Sequence, residues 1–275
     1  MPATSKLEAL LATFPSILVG YSGGVDSALL AVVARRVLGR ERAVAAMGLS
    51  ASYPAAQREQ ALDVARQFDL HVVEVPTDEL SDPDYVANAP SRCYFCKHEL
   101  WGKLVRLAEE RGLAIVADGT NADDLGDHRP GLQAANEFEI RSPLAEAGYT
   151  KQDVRDEARS IGIPIWDAPA APCLSSRVMY GLSVTPERLG QVEQGELLLR
   201  AIGVQGDLRL RHRGGEARIE VSPSELPRVR RHGERVAAEL HALGFERVTL
   251  DLAGYRRGSL LNGGEPMLEL LAPSP

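Results

Sequence analysis

The sequence of 275 residues lacks the features that mark several large classes of protein. Its three cysteines are too few for a disulfide scaffold, so metal-binding or catalytic roles come first. No apolar run approaches the roughly 18–20 residues of a membrane span, and no basic segment with an apolar signal core is found at the N-terminus. Internal repeats and low-complexity segments are also missing. These absences predict a cytoplasmic protein without a membrane partner.

The charge balance narrows the choice of partners. Acidic residues outnumber basic ones by 38 to 31, which gives a formal net charge of −7. This balance argues against broad binding to nucleic acid, although a local patch formed by Arg228, Arg230, Arg231 and Arg235 leaves that alternative open. Hydrophobic residues make up 44% and charged residues 25% of the chain, as in globular proteins. The length suffices for one large domain or two ordinary ones.

A glycine turn lies between a predicted strand and a predicted helix near the N-terminus. Residues 16–21 form a short apolar run, and apolar residues recur at helical spacing between 28 and 39. The turn has the sequence Ser22-Gly-Gly-Val-Asp-Ser27, without the lysine of a Walker A loop or the spaced glycines of a dinucleotide fingerprint. Unpartnered N–H groups and the helix dipole favour phosphate at such a turn. The alternative is a Gly-Gly turn with an Asp or Ser helix cap.

Strands and helices alternate along the first part of the chain. Apolar runs predict strands at 16–21, 43–50, 70–75, 113–117 and 163–166, and helical patterns lie at 54–68, 97–111 and 150–161, with a loop at 81–92. The last of these helices opens with the capping-box variant Thr150-x-x-Asp153 and stops at Gly162 and Pro164. The alternation predicts an α/β fold, a parallel sheet with helices on both faces, with ligands beyond the carboxyl ends of its strands. Polar residues 118–124 follow one such end. They suit Mg²⁺ and nucleotide hydroxyls, unless they form a solvated Asx turn.

The pattern changes after residue 183, which divides the sequence into domains at 1–183 and 184–275. A helix is predicted at 186–202, followed by a hairpin at 207–211 and 216–221 around Gly214-Gly215. A long helix at 223–243, with a possible break near Gly233, and a strand at 245–252 complete a small α+β domain. Its sheet offers an edge, so we expect a homo-oligomer.

The three cysteines have a spacing that is typical of metal sites. Cys93 and Cys96 form a Cys-x-x-Cys motif, which can bind one metal or cluster or form a redox disulfide. Adding Cys173, in the Pro-rich stretch 168–177, favours a three-cysteine 4Fe–4S site with one iron open. Zinc and inert buried thiols are the alternatives. Arg177 also favours a nucleophilic thiolate at Cys173, a role that competes with iron ligation.

Several motifs together resemble the LarE family of the PP-loop ATP pyrophosphatases, over nearly the whole chain. They are the glycine turn 22–27, Gly119–Asp124 with Asp127–Gly131, Pro172–Arg177, Arg209–Arg213 and Val248–Ser259. The resemblance implies an adenine-nucleotide α-hydrolase-like fold and an ATP-dependent sulfurtransferase. In that family ATP adenylates a carboxylate of pyridinium-3,5-biscarboxylic acid mononucleotide. Sulfur then displaces AMP and leaves a thiocarboxylate, in the synthesis of a nickel-pincer cofactor.

The resemblance also implies which residues act. ATP and Mg²⁺ are expected at Gly20, Ser22, Gly23, Gly24, Val25, Asp26, Ser27, Gly119, Thr120, Asn121 and Asp124. Substrate is expected at Ser176, Arg177, Arg211 and Arg213, and catalysis at Asp26, Cys173 and Arg177. Arginine suits the substrate's phosphate and carboxylates because it donates in bidentate pairs. One strand face carries Arg209, Arg211 and Arg213. The alternative is a solvated edge strand, whose charges prevent aggregation.

Two sources of sulfur stay open, and so do other functions. Cys93 and Cys96 place the chain with family members that hold a 4Fe–4S cluster, whose ligands would be Cys93, Cys96 and Cys173. In other members the cysteine at the position of Cys173 gives up its own sulfur and becomes dehydroalanine. A tRNA thiolase, an amidotransferase partner such as a NAD synthetase, and a non-catalytic nucleotide-binding or metal-storage module are the remaining alternatives.

Overall fold

The computed structural model describes residues 5–126, 130–169, 172–256 and 266–272. Its helices are α1 Lys6–Leu11, α2 Val25–Leu38, α3 Ala55–Gln67, α4 Pro83–Val86, α5 Arg92–Glu110, α6 Pro130–Glu137, α7 Pro143–Glu146, α8 Lys151–Ile161, α9 Pro186–Ala201, α10 Leu226–Arg231 and α11 Gly233–Ala242. Its strands are β1 Ile17–Gly20, β2 Ala43–Leu49, β3 His71–Pro76, β4 Ile115–Ala117, β5 Leu208–Arg213, β6 Glu216–Val221, β7 Arg247–Asp251 and β8 Met267–Glu269. Within these ranges no helix has the length and apolar character needed to cross a membrane.

The chain forms two compact units, which are described separately. The first contains the chain up to Asp82 and the segment that starts at Ser91. The second contains Pro83–Pro90 together with the chain from Pro172 onward. Asn88 belongs to the second unit and is fully buried there, where its side-chain amide donates to the carbonyls of Met179 and Leu182, each at 2.9 Å. The domain division at residues 183 and 184 stays a prediction.

The first unit is built on a parallel sheet with the strand order β3-β2-β1-β4. Ile17 in β1 pairs with Ala43 on one side and with Ile115 on the other. Successive side chains of β1 point to opposite faces, and each face meets its own apolar core. Ile17 belongs to the core that contains α2, whereas Leu18 belongs to the core that contains Trp101 of α5. The sheet is therefore covered by helices on both faces, which confirms the predicted α/β, PP-loop fold.

The ends of α8 follow their sequence signals. Thr150 caps the helix and accepts a hydrogen bond from the backbone N–H of Asp153, whose carboxylate in turn accepts one from the Thr150 N–H. This reciprocal pair is the predicted capping box. Gly162 ends the helix in the left-handed region at φ 87°, which favours glycine. The start of α8 is thereby fixed at Lys151, the first residue after the cap.

Three local predictions were wrong. Residues 163–166 are a turn and not a strand, with the Trp166 N–H donating to the Ile163 carbonyl at 3.2 Å. Ile163 and Ile165 are buried in the core, and a short apolar run cannot distinguish a strand from a buried turn. The predicted loop at 81–92 contains the short helix α4. The helix predicted from residue 97 already begins at Arg92, so Cys93 and Cys96 lie on it.

The second unit contains a mixed sheet with the strand order β5-β6-β7-β8. The β5 and β6 pair is antiparallel and turns at Gly214-Gly215, as predicted, with Gly214 at φ 75°. The predicted break in the long helix near Gly233 separates α10 from α11. One sheet face packs its apolar side chains, Leu210 and Ile219 among them, against α9 and α11. The arginines at 209 and 211 lie on the other face because side chains alternate along β5.

His212 is a neutral base buried in the second unit. Its side chain is 3% exposed, its Nε2 lies 2.8 Å from Gln191 Oε1, and its ring centroid lies 5.0 Å from that of Phe245. Burial, together with a smaller effect of the positive charge of Arg188, lowers the pKa of His212 to about 4. The folded protein therefore resists protonating this ring at a pH where the unfolded chain accepts the proton.

We expect the stability that depends on neutral His212 to be lost as the pH falls from about 6.5 towards about 4. Between the unfolded and folded pKa values only the unfolded state binds the proton, which costs up to about 1.4 kcal/mol per pH unit. The measurement is the free energy of unfolding in urea for wild type and His212→Gln at several pH values. The stability advantage of the wild type should shrink on acidification. His241→Gln, in the same unit, is the matched control, and an advantage that stays constant would contradict the expectation.

Candidate functional site

The glycine turn between β1 and α2 leaves the start of the helix open to a ligand. Gly23 has φ 73°, and a Cβ there would lie 2.6 Å from the Ala61 Cβ, so only glycine fits. Gly24 is the N-cap of α2, and among the described side chains none caps this helix. The N–H groups of its first turn therefore face an approaching anion without competition from a cap, and the helix dipole adds a favourable field.

Two serine hydroxyls fix the shape of this turn. Ser27 Oγ donates to the Gly24 carbonyl at 3.0 Å and accepts from the Ser22 N–H at 3.2 Å. The hydroxyls of Ser22 and Ser27 lie 3.2 Å apart. Val25 follows the turn and is 5% exposed, with its side chain in the apolar core. Only the backbone of Val25 is thus placed to contact a ligand.

Two side chains that the sequence did not suggest hold the turn from α3 and the loop before it. The Tyr53 hydroxyl donates to the Ser22 carbonyl at 3.0 Å, and the Gln57 amide donates to the same oxygen at 2.9 Å. Burial raises the pKa of Tyr53 to about 12, so its hydroxyl keeps its proton at neutral pH. These donors lie more than thirty residues from Ser22, and no local spacing could have revealed them.

The Asp26 carboxylate brings together three segments of the first unit. Its Oδ1 accepts a hydrogen bond from the Asn121 amide at 3.1 Å, and its Oδ2 lies 2.5 Å from Lys151 Nζ. Asn121 is 2% exposed and comes from the loop after β4, whereas Lys151 begins α8. Asp26 and Asn121 were predicted for this site and lie together in it. Lys151 was missed, because a lysine at a helix start carries no distinctive signal.

The loop after β4 fits closely against the turn. A Cβ on Gly119 would lie 2.7 Å from the Ser27 backbone N, so this glycine allows a close approach of two backbones. Thr120 donates through its hydroxyl to Asp118 Oδ2 at 2.7 Å, and the Asn121 N–H donates to Asp124 Oδ2 at 3.3 Å. These predicted residues therefore order the loop.

Packing against Trp101 explains why residue 20 is a glycine. A Cβ at this end of β1 would lie 2.9 Å from the Trp101 ring, which is buried in the core between the sheet and α5. The predicted binding of nucleotide by Gly20 stays a prediction. So do the ligand contacts expected of the other residues at the turn and in the loop after β4.

In the second unit Arg177 anchors the loop that carries Cys173. Its guanidinium is 4% exposed and forms a bidentate pair with Glu196 of α9, at 2.9 and 3.1 Å. Its remaining nitrogen, Nη1, donates to the carbonyls of Pro172 and Cys173. The Cys173 sulfur lies 3.1 Å from the Ser175 hydroxyl. The Arg177 charge is thus directed at loop carbonyls and at Glu196, and a direct contact with substrate stays a prediction.

A buried network of arginines and carboxylates covers the charged face of the second sheet. Arg211 contacts Glu220 at 3.0 Å and donates to the Ser176 carbonyl at 3.2 Å. Glu220 lies 3.7 Å from Arg218, which also pairs with Asp251. Glu220 and Asp251 are fully buried. The network brings the predicted residues Ser176, Arg177 and Arg211 to one face, whereas Arg213 lies half-buried at the end of β5.

We call the five arginines on this face the arginine cluster: Arg177, Arg209, Arg211, Arg218 and Arg256. Its carboxylate neighbours are Glu196, Glu220 and Asp251. The set carries two more positive charges than negative ones (five minus three). Arg209 is 6% exposed and lies over the Tyr255 ring at 5.1 Å. Burial lowers the pKa of Arg209, and the nearby Arg177 charge lowers it further, so an anion at this face would be favourable.

Cys93 and Cys96 lie one turn apart at the start of α5, with Cys93 exposed and Cys96 half-buried. This placement suits two ligands of one metal centre. They belong to the first unit, whereas Cys173 belongs to the second. Among the residues that the structure describes, no group of three or more His, Cys, Asp or Glu side chains is arranged to hold a metal ion. The resemblance motifs at 127–129 and 257–259 lie outside the described residues.

Comparison with known proteins gives a family match near the N-terminus and relatives that align along most of the chain. Residues 6–84 match the family described as NAD synthase. An uncharacterized protein of Synechocystis sp. is 44% identical over 93% of this chain and 97% of its own length. The pyridinium-3,5-bisthiocarboxylic acid mononucleotide synthase of Lactiplantibacillus plantarum is 35% identical over 94% of each chain. An uncharacterized protein of Methanocaldococcus jannaschii is 30% identical over 87% of this chain and 90% of its own length.

We expect Tyr53→Phe to weaken ATP binding by about twofold to tenfold, the range that corresponds to the loss of one ordinary hydrogen bond. The Ser22 carbonyl would keep only the Gln57 donor, so the turn would be held less firmly. The measurement is the dissociation constant for ATP by calorimetry. Tyr94→Phe, which removes a hydroxyl bonded to Glu137 on the exposed side of α5, should leave the constant unchanged. Equal constants for wild type and Tyr53→Phe would show that the turn needs no such support.

Proposed function

Because this chain belongs to the LarE family of the PP-loop superfamily, we propose that it is an ATP-dependent sulfurtransferase. Its substrate would be pyridinium-3,5-biscarboxylic acid mononucleotide, of which one carboxylate is adenylated and then converted to a thiocarboxylate. The observation that carries this proposal is the pairing of two features in one chain. One is an open glycine turn suited to ATP phosphates, and the other is a buried, positively charged face next to a cysteine.

Adenylation is assigned to the first unit. The turn 22–27 would hold the phosphates through its backbone N–H groups. Asn121, Asp124 and the Asp26 carboxylate offer oxygen ligands of the kind that Mg²⁺ prefers, together with phosphate oxygens and water. A bound Mg²⁺ would neutralise phosphate charge. The substrate carboxylate then attacks the α-phosphorus, pyrophosphate leaves, and the mixed anhydride makes the carbonyl carbon open to sulfur.

The arginine cluster supports the assignment of an anionic substrate. A phosphate and two carboxylates need several donors held in fixed positions, and guanidinium groups supply them in pairs. Glu220 and Asp251 hold the arginines in place but leave the set positive, so the cluster is preorganised for an anion without being neutralised. We propose that Ser176, Arg177, Arg211 and Arg213 bind the substrate and that Arg209 adds to the positive field.

We propose two routes for sulfur delivery, and Cys173 takes part in both. Cys93, Cys96 and Cys173 would together hold a 4Fe–4S cluster, which supplies an open iron for sulfide when bound. Cys93 and Cys96 fit two of the ligand positions by lying one turn apart on α5. Alternatively the Cys173 thiolate attacks the carbonyl carbon of the adenylate, and AMP leaves to give a thioester. Loss of the Cα proton and cleavage of the Cβ–S bond of residue 173 then release the thiocarboxylate and leave dehydroalanine. A cytoplasmic location, a homo-oligomeric state and the absence of a nucleic-acid partner stay predictions.

We expect wild type, given ATP, sulfide and the pyridinium diacid mononucleotide, to form AMP and thiocarboxylate, and Cys173→Ala to form AMP alone. Adenylation depends on the turn and not on the thiol, so removal of the thiol leaves the adenylate to hydrolyse. Asp26→Ala should slow AMP formation by about 100-fold or more, as is common when a charge-stabilising group is removed. The measurement is quantitation of AMP and thiocarboxylate by chromatography. Undiminished thiocarboxylate from Cys173→Ala would overturn the assignment of the sulfur.

We expect anaerobically purified protein to contain about four iron and four labile sulfide per chain, the content of a 4Fe–4S cluster, and Cys93→Ala to lose most of both. The measurement is metal and sulfide analysis with the absorption spectrum. Colourless protein that contains zinc would rule out the cluster.

Mass spectrometry of the intact chain distinguishes the two proposed sources of sulfur. After turnover, loss of the elements of hydrogen sulfide at Cys173 would assign the sulfur to this residue. An unchanged mass, together with bound iron, would assign it to added sulfide.

A further inference from the structure

The second unit includes a short segment of chain that leads directly to the helix carrying the Cys-x-x-Cys motif. Residues 83–90 belong to the second unit, and α5 follows them in the first. Cys93 lies five positions after Asn88, a reach of at most about 18 Å for an extended chain. Pro90 lies within this stretch and restricts its own backbone and that of the residue before it. The position of Asn88 therefore limits where Cys93 can lie.

The Asn88 side chain holds the backbone of a turn in the second unit. Its amide nitrogen donates to the carbonyls of Met179 and Leu182, each at 2.9 Å, and to the carbonyl of Val178 at 3.3 Å. The Asn88 carbonyl also accepts a hydrogen bond from the Gly181 N–H at 3.2 Å. Asn88 is fully buried, so water does not compete for these bonds. One amide therefore fixes the backbone at three positions.

This turn directly follows residues 172–177, which we call the Cys173 loop. Arg177 donates to the two carbonyls at the start of the loop, whereas Asn88 fixes the chain immediately after its end. The loop that carries Cys173 is thus held from both sides. Asn88 has a left-handed backbone at φ 55°, which asparagine adopts more readily than most residues. An asparagine therefore meets both demands of this position, the amide donors and the backbone conformation.

We propose that Asn88 is a positioning residue for sulfur delivery. Its side chain holds the Cys173 loop, and the short chain that follows it ties Cys93 and Cys96 to the same loop. None of these contacts involves a sulfur atom, so Asn88 places the thiols without taking part in their chemistry. The role in sulfur delivery rests on the proposed function, whereas the coupling of the three cysteines does not.

The test is cross-linking of the full chain, reduced and stripped of metal with a chelator, by a short bismaleimide. Each thiol adds across one maleimide double bond, and no oxidant is needed. Mass spectrometry of the digested protein gives the rate at which Cys173 becomes linked to Cys93 or Cys96. Asn88→Gly removes the amide and keeps access to positive φ. We expect its linking rate to fall at least about fivefold, the lower bound for two lost hydrogen bonds.

The matched control is Gln191→Ala. The Gln191 amide also donates to a backbone carbonyl of the second unit, that of Leu243 at 2.8 Å, so its removal costs a similar contact elsewhere. We expect this variant to link at the wild-type rate, at a temperature where circular dichroism shows all the proteins folded. A wild type that does not link, or an equal rate in Asn88→Gly, would overturn the proposal.

A second variant separates coupling from a loss of folding. Four glycines inserted after Pro90, which is exposed, leave the contacts of Asn88 in place but loosen the connection to α5. The linking rate should fall here too, and a wild-type rate would contradict coupling through the chain.

Turnover distinguishes this proposal from the proposed function. Asn88→Gly should form less thiocarboxylate per AMP than wild type, and an unchanged ratio would remove Asn88 from sulfur delivery. If wild type forms no AMP while the cross-linking results hold, the proposed function fails and the coupling of the cysteines by Asn88 stands.

Discussion

The arrangement of segments around the glycine turn depends on the Asp26 carboxylate. This side chain joins the helix after the turn to two segments that are distant in sequence. Asn121 contacts one of its oxygens and Lys151 the other. Parallel strands place the ends of β1 and β4 at the same edge of the sheet, and this edge is where the three groups meet. A single charged side chain thus fixes the loop after β4 and the start of α8 relative to the turn.

The rigidity of the turn itself comes from outside it. The Ser22 carbonyl receives two donors, from Tyr53 and Gln57, so the peptide that follows cannot rotate freely. Gly23 can occupy its left-handed conformation only because it has no side chain, and Ala61 fills the space where one would be. The backbone N–H groups are therefore held in position before a ligand arrives, which lowers the entropic cost of binding an anion.

The second unit meets a different constraint, which is the burial of charge. An isolated charge is costly in a protein interior, so the arginines at 211 and 218 remain there only because Glu220 and Asp251 lie against them. Removing one carboxylate would leave its partners uncompensated, whereas a bound anion would compensate the excess positive charge. The same network that stabilises this face therefore also supports the proposal that it binds a negatively charged ligand.

The sequence predicted what local patterns encode and missed what depends on distant contacts. The glycine turn, the capping box of α8 and the hairpin at Gly214-Gly215 were found because their signals span only a few residues. The turn at 163–166 was mistaken for a strand because its apolar residues are buried in either conformation. Tyr53 and Lys151 escaped because each is an ordinary residue whose importance comes only from the partner that the fold brings to it.

The loop that carries Cys173 is held in place by contacts that do not involve its sulfur. Arg177 holds this loop through the backbone carbonyls of Pro172 and Cys173, and Glu196 holds Arg177. The sulfur itself contacts the Ser175 hydroxyl, a weak interaction beside charge-assisted ones. Because the anchorage acts on the backbone, a change at the sulfur leaves these contacts in place. The loop therefore separates the sulfur from the groups that keep it in position, and this separation is compatible with either proposed source of sulfur.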